Sequence, residues 1–134
     1  MGLKRPEAVA VTGMGSDDQP RWEPIRTSTQ GANGLCHQPA ANTAGVINFP
    51  MAAGVKHVIG GVAWSYDAAP TGGLLTIVAE GVAIFEVDIT AAGPGFFPFS
   101  PGLAARRNFG MTITLAAGGA GIRGRLNVLS YWTE

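Results

Sequence analysis

Charged residues are scarce in this sequence. Lys, Arg, Asp and Glu make up 13% of its 134 residues, against about 25% in an average soluble domain. They cancel to a net charge of +0, so the chain carries no basic footprint for DNA or RNA. Hydrophobic residues stay at an ordinary 46%. This balance favours a surface that is partly covered by other subunits, and a surface of small and neutral polar residues is the alternative.

Disulfides, membrane spans and a secretion signal are also missing. Cys36 is the single cysteine, which excludes an internal disulfide framework and is compatible with assembly in a reducing compartment. The most apolar region, residues 46–66, is interrupted by a proline, a lysine and several glycines, and falls short of the ~20 apolar residues of a spanning helix. Residues 1–11 lack the apolar core of a signal peptide. We therefore expect no contact with a membrane.

Residues that could support catalysis or metal binding are few and scattered. His37 follows Cys36 directly, but neighbouring side chains on an extended chain point in opposite directions. With His57 as the only other histidine, a zinc site would need carboxylates from elsewhere. Glu86 and Asp88 fit the exposed face of a strand better than a catalytic carboxylate pair. We predict no catalytic residue, no metal site and no cofactor.

What the sequence does contain is a series of short β-strand patterns separated by glycine-rich turns. Gly60 and Gly61 interrupt the first pattern and predict a β-bulge, and Glu80-Gly81 predicts a tight hairpin turn. The one helix candidate, 102–108, is too short to be stable. The fold class is therefore all-β, an antiparallel β-sandwich or a jelly roll. The main predicted strands are 56–66, 74–79, 82–89, 109–116 and 122–132.

The chain divides into two unequal regions. Residues 27–55 contain no charged residue and are rich in Gln, Asn, Thr, Ala and Gly. They show no helical or strand periodicity. We interpret residues 1–54 as an extended N-terminal arm that lies against a neighbouring subunit, followed by a sandwich or jelly-roll domain at 55–134. The alternative is a flexible leader with short strands at 21–28 and 46–49.

Arginine and aromatic side chains are the candidates for subunit contacts, because both are favoured at protein interfaces. Two prolines beside three phenylalanines predict an edge strand or a structured loop at 94–99. Ordinary surface charge and core packing are the alternatives for these residues. The predicted contact residues are Arg21, Trp22, Arg26, Phe49, Phe96, Phe97, Phe99, Arg106, Arg107, Arg123 and Arg125.

Three runs carry a family resemblance: WSYDAAPTGG at 64–73, FEVDITAAGPGFFPF at 85–99 and MTITLAAGGAGIRGRLNVLSYW at 111–132. They resemble the small β-sandwich or jelly-roll proteins that decorate or cement the heads of tailed bacteriophages. The resemblance implies a non-enzymatic virion protein, assembled in the host cytoplasm. It would bind the outer surface of the major capsid lattice as a homotrimer and stabilise the head.

Two other functions stay open for such a fold. A tail, baseplate or head-fibre component would share the architecture and the lack of catalysis. A carbohydrate-binding β-sandwich module would expose Trp64, Tyr66 or Trp132 as a sugar-stacking platform, whereas burial of these rings would argue against it.

Overall fold

The computed structural model describes residues 35–134, and the regular secondary structure in this range consists of β-strands alone. The predicted all-β fold class is thus confirmed, and 102–108 forms no helix. The strands are β1 Cys36–His37, β2 Gly45–Phe49, β3 His57–Tyr66, β4 Gly73–Ala79, β5 Val82–Ile89, β6 Gly93–Ala104, β7 Met111–Leu115 and β8 Gly124–Thr133.

Two four-stranded sheets form the sandwich, in the orders β1-β8-β3-β6 and β2-β7-β4-β5, with every pair antiparallel. Strands β1 to β4 alternate between the two sheets one at a time, and β5 to β8 then pair with β4, β3, β2 and β1 in that order. Eight strands in this double Greek-key order make a jelly roll. The structure therefore decides between the two architectures that the sequence left open.

The core is built from every second residue of the strands. β2, β4 and β7 each alternate strictly between buried and half-buried positions, which is the period-two pattern of a strand with one covered face. The inward residues are mostly β-branched or leucine, which pack well on a pleated surface. Fully covered examples are Ile47, Ile59, Val62, Leu75, Ile77, Ile113 and Leu126.

A tight turn and a β-bulge lie where the sequence predicted them. Glu80 and Gly81 have φ of 57° and 75°, the left-handed pair that a two-residue hairpin needs. The register of β3 against both neighbours shifts between Ile59 and Gly61, which confirms the bulge. A Cβ on Gly61 would lie 2.9 Å from the Phe97 carbonyl oxygen, so only glycine fits this crossing.

The sandwich begins earlier than the predicted boundary at residue 54. β2 pairs with β7 along its whole length, and Leu35, Ile47 and Phe49 belong to the hydrophobic core. Five alternating residues between loops rich in Pro, Asn and Ala are too short a pattern to separate from an irregular arm. Residues 1–34, which include Arg21, Trp22 and Arg26, lie outside the described residues.

The same substitution at a core and an edge position tests this architecture. Ile113 is 0% exposed on β7 and Ile84 is 37% exposed on β5. We expect Ile113→Ala to lower the free energy of unfolding by about 2–5 kcal/mol, and Ile84→Ala by much less because it removes little buried surface. Denaturant unfolding of both variants measures this. Equal losses would contradict the assigned core.

Candidate interaction surface

The outer face of the β2-β7-β4-β5 sheet is largely polar. Cross-strand partners share a face, so the rows Asn48–Thr112 and Thr114–Thr76–Glu86 all point away from the core. Thr112 Oγ1 donates to Asn48 Oδ1 at 2.7 Å. We call this surface the polar face. Its polar members are Asn48, Thr76, Glu86, Asp88, Thr112 and Thr114, beside half-buried Val46, Leu74 and Val78.

The outer face of the β1-β8-β3-β6 sheet is apolar over most of its area. Val62 and Val128 point into the core, so their neighbours Ala63, Asn127 and Phe96, which pair with one another across the strands, point outward. Phe96 is 68% exposed. We call this surface the apolar face. It comprises Val58, Ala63, Ser65, Pro94, Phe96, Pro98, Ala104, Arg125, Asn127, Leu129 and Trp132.

A shallow recess of about 410 Å³ lies on the apolar face. It forms because the central strand β3 carries the small residues Ala63 and Ser65, while the flanking strands carry larger ones. Pro94 and Phe96 of β6 stand on one side and Asn127 of β8 on the other, and Trp64 of β3 also lines the recess. Its lining has no ionisable side chain, so a neutral or apolar partner fits it without an unpaired buried charge.

The other end of the apolar face forms a smaller recess of about 190 Å³ around Trp132. The indole Nε1 donates to Glu134 Oε2 at 3.1 Å, and Lys56 Nζ lies 3.7 Å from Glu134 Oε1. Pro101 and Gly102 complete the wall. A partly exposed ring beside a paired ammonium and carboxylate offers both a stacking surface and polar groups.

One side of the sandwich is bounded by the edge strands β5 and β6, and we call it the β5–β6 side. Phe85, Phe97 and Phe99 cluster there with ring centroids 5.1–5.4 Å apart. Val82 is 61% exposed, and a recess of about 280 Å³ separates the β4–β5 turn from the end of β6. The prolines of β6 do occupy an edge strand, as predicted.

The predicted contact residue Phe49 lies in the core instead. It is 2% exposed, and its ring stacks on Tyr131 with centroids 4.2 Å apart. A strand residue at an inward position of β2 cannot meet a partner without unfolding the sheet. Phe99 is also half-buried, within the cluster of three rings, whereas Phe96 and Phe97 are exposed.

The four predicted arginines of the sandwich do not come together. Arg106 pairs with Glu80 at 3.3 Å and lies over the Phe109 ring, and Arg107 Nη1 donates to the carbonyl oxygens of Gly54 and Glu134. These two lie near the C-terminal end of β8. Arg125 and Arg123 lie at its N-terminal end, about 30 Å away along the strand.

Arg125 is exposed and Arg123 is half-buried. The backbone N–H of Arg123 donates to Asp67 Oδ1 at 2.9 Å, and its buried Nε has no hydrogen-bond partner among the described residues. Arg107 and Arg123 therefore make contacts within the sandwich. Arg125 is the predicted arginine that lies exposed on the apolar face.

Burial sets one of the three candidate sugar-stacking rings apart from the other two. Tyr66 is 1% exposed, and its hydroxyl donates to the Ala116 carbonyl at 2.6 Å. Trp64 packs against the core, with its indole so close to Gly95 that a Cβ there would lie 2.5 Å from Cζ2. Trp64 and Trp132 are both half-buried, and each borders a recess on the apolar face.

A hydrogen-bonded histidine that the sequence did not single out connects three parts of the fold. His57 is 5% exposed, and its Nε2 donates to the Pro50 carbonyl at 2.8 Å. In the neutral ring Nδ1 then accepts from the Tyr131 hydroxyl, 2.6 Å away. This pairing satisfies a buried polar side chain and ties β3 and β8 to the loop after β2, so His57 has a structural role.

Few side chains in residues 35–134 could support other chemistry. No group of three or more His, Cys, Asp or Glu side chains could hold a metal ion, and Glu86 and Asp88 are solvent-exposed on β5. Across the same stretch no helix has the length and apolarity needed to cross a membrane. The features that stand out are the apolar face and the β5–β6 side.

No protein-family model matches the chain, and no curated protein matches it. Among solved structures it is similar to a CBM36 carbohydrate-binding module in complex with calcium and xylotriose, with 13% identity, a TM-score of 0.39 and coverage of 84% of this chain and 93% of that one.

Two further modules show the same level of similarity. The CBM36-1 domain of a xylanase from the hindgut metagenome of Trinervitermes trinervoides has 11% identity and a TM-score of 0.35, covering 92% and 89%. A family 35 carbohydrate-binding module from an environmental isolate has 15% identity and a TM-score of 0.35, covering 94% and 89%. Similarity at this level supports no inference about ligand or activity.

Both tyrosines of the chain should titrate at unusually high pH. Burial raises the pKa of Tyr131 to about 12 and raises the pKa of Tyr66 above its usual value. The unfolded chain ionises both hydroxyls near the ordinary value of about 10 and so loses protons first as the pH rises. This contribution to stability is complete below about pH 10 and is lost as the pH rises through the folded-state values.

Near-ultraviolet absorbance of tyrosinate measures this titration in the folded protein and in guanidinium. Tyr131→Phe should remove the step near pH 12 and leave the raised step of Tyr66. A folded-state titration that coincides with the unfolded one would contradict the burial of both rings.

Proposed function

We propose that this chain is a virion structural protein that binds the outer surface of a bacteriophage capsid lattice through its apolar face. The observation that carries the proposal is the asymmetry of the two outer faces. The polar face carries Thr, Asn and acidic side chains, and the apolar face exposes Phe96, Leu129 and the recess beside Ala63. Contiguous exposed apolar surface on a small domain is typical of a binding face.

The fold suits such a role physically. Two sheets packed around one core make a stiff body, and its buried core does not include Phe96 or Leu129 of the apolar face. Each copy on a shell can contribute modest energy, because many copies act together on one lattice. The scarcity of charge at 13% fits a surface that is partly covered in the assembled state, and the resemblance of the three sequence runs points to the head of the particle.

Reconstitution on shells that lack the protein tests the proposal. Purified protein is mixed with expanded capsids, and its occupancy and orientation are read by cryo-electron microscopy. We expect ordered density with the apolar face against the lattice. No binding to heads would overturn the proposal in favour of a tail, baseplate or head-fibre component, or of a glycan-binding module.

A pair of glutamate substitutions tests which face binds. Leu129 is 39% exposed on the apolar face, and Leu129→Glu would bury an unpaired charge on binding. We expect it to weaken shell binding at least about tenfold, equivalent to roughly 1.4 kcal/mol. Thr114→Glu on the polar face is the matched control and should bind like the unmodified protein. The reverse result would assign binding to the polar face.

The predicted arm is tested by removing residues 1–34, which leaves the described sandwich from Leu35 onward intact. We expect the apparent affinity for shells to fall, because the arm is proposed to reach a neighbouring subunit. A truncated protein that bound heads at full affinity would remove the arm from the mechanism while leaving the role of the apolar face untouched.

The recess around Trp132 favours carbohydrate binding as a second candidate. Its partly exposed indole lies beside Lys56 and Glu134, which together offer a stacking surface and hydrogen-bonding groups to a sugar. Glycan-array screening tests it. Binding that is lost in Trp132→Ala and retained in Phe96→Ser would support this candidate, and an array without any signal would exclude it.

A further inference from the structure

We infer that the larger recess on the apolar face holds an extended polypeptide segment, which carries apolar side chains and, at one end, a carboxylate. The segment would lie along β3, with Phe96 on one side and Asn127 on the other. This inference rests on the proposed function and deepens it, because it names the kind of capsid segment that the face recognises. Its test uses the free protein, so it can fail separately from binding to a shell.

Small residues form the floor of this recess. The outward positions of β3 carry Ala63 and Ser65, and Gly61 precedes them on the strand. A Cβ on Gly61 would lie 2.9 Å from Leu129 Cδ1, so the leucine side chain lies over this glycine and closes one end of the floor. From Gly61 to Ser65 the strand rises about 13 Å, which is the length of about four extended residues. We call this channel the β3 groove.

The width of the β3 groove favours an extended chain over a helix. The cross-strand partners of Ala63 are Phe96 on β6 and Asn127 on β8, whose backbones are two strand spacings, or about 10 Å, apart. Their side chains narrow the space between them further. An α-helix measures about 10–12 Å across with its side chains and would rest on top of both walls. An extended segment can instead direct every second side chain towards the floor.

The lining offers partners for both the backbone and the side chains of such a segment. Asn127 carries an amide donor and a carbonyl acceptor, and the Ser65 hydroxyl can donate or accept. A docked segment needs such groups, because a backbone N–H or C=O that is buried without a partner is costly. The exposed side chains of Phe96 and Leu129 supply apolar contacts. The groove therefore fits an uncharged stretch of peptide.

Charge gives the segment its direction. Arg125 is exposed and lies across from Ser65, at the opposite end of the groove from Leu129. Neither ion pair within residues 35–134 involves Arg125. A partner docked over the groove removes water from this guanidinium, and a carboxylate compensates for that loss through charge-assisted hydrogen bonds. We therefore expect an Asp or Glu about four residues from the apolar side chain that meets Leu129.

Selection from a displayed library of random linear dodecapeptides, with the full-length chain as the target, tests this inference. Enriched peptides should carry apolar residues at alternate positions and an acidic residue to one side of them. Arg125→Glu inverts the charge at that end of the groove, so it should select Lys or Arg there instead. A library without enriched peptides, apolar residues enriched at helical spacing, or an unchanged acidic preference in Arg125→Glu would each overturn the inference.

Filling the floor tests where the peptide binds. Ala63→Phe places a ring in the groove and should weaken binding of a labelled selected peptide about tenfold or more, measured by fluorescence anisotropy. Thr76→Phe introduces the same ring at an outward position of β4 on the polar face. It is the matched control and should bind like the parent chain. Thermal unfolding checks that both variants keep the sandwich. Parent-like affinity in Ala63→Phe would overturn the assignment to the groove.

Peptide selection and binding to heads are separate measurements. A chain that selects acidic-ended apolar peptides but leaves heads bare would support the groove as a peptide site and overturn the capsid role. A chain that coats heads but selects no peptide would overturn the inference about the groove and leave the capsid role standing.

Discussion

The packing of two sheets face to face is the constraint on which the rest of the molecule depends. Each strand must direct every second side chain inward, and the inner faces must interlock in a layer about 10 Å thick. Once that layer holds Ile47, Ile77, Ile113 and Leu126, the alternate positions are committed to the outside. The contrast between the apolar and polar faces therefore depends on the outward-pointing residues, which do not contribute to the core.

This separation explains why much of the fold could be predicted from the sequence. The strand pattern of 82–89 correctly placed Glu86 and Asp88 on the exposed face of β5, and Glu80-Gly81 and Gly60-Gly61 marked a turn and a bulge that the backbone geometry requires. These signals are local. The strand order that makes a jelly roll depends on pairing between distant segments, such as β1 with β8, and no local pattern carries it.

The candidate surface was less predictable for the same reason. Phe49 and Phe96 are both phenylalanines close to a proline in the sequence, yet one lies on the core side of β2 and the other on the outer side of β6. Only the register of β2 against β7 and of β6 against β3 separates them. The recess beside Ala63 likewise arises from small residues on one strand and large residues on its neighbours, a relation that exists only after the sheet forms.

The pairing of β1 with β8 has a mechanical consequence. Any tension transmitted from residues before Leu35 enters the sandwich through a strand of two residues, where the ladder is short and its hydrogen bonds are few. Beyond it the chain reaches β2, whose five residues pair fully with β7 and carry core side chains. A pull on the N-terminal segment should thus release β1 first and stop at β2.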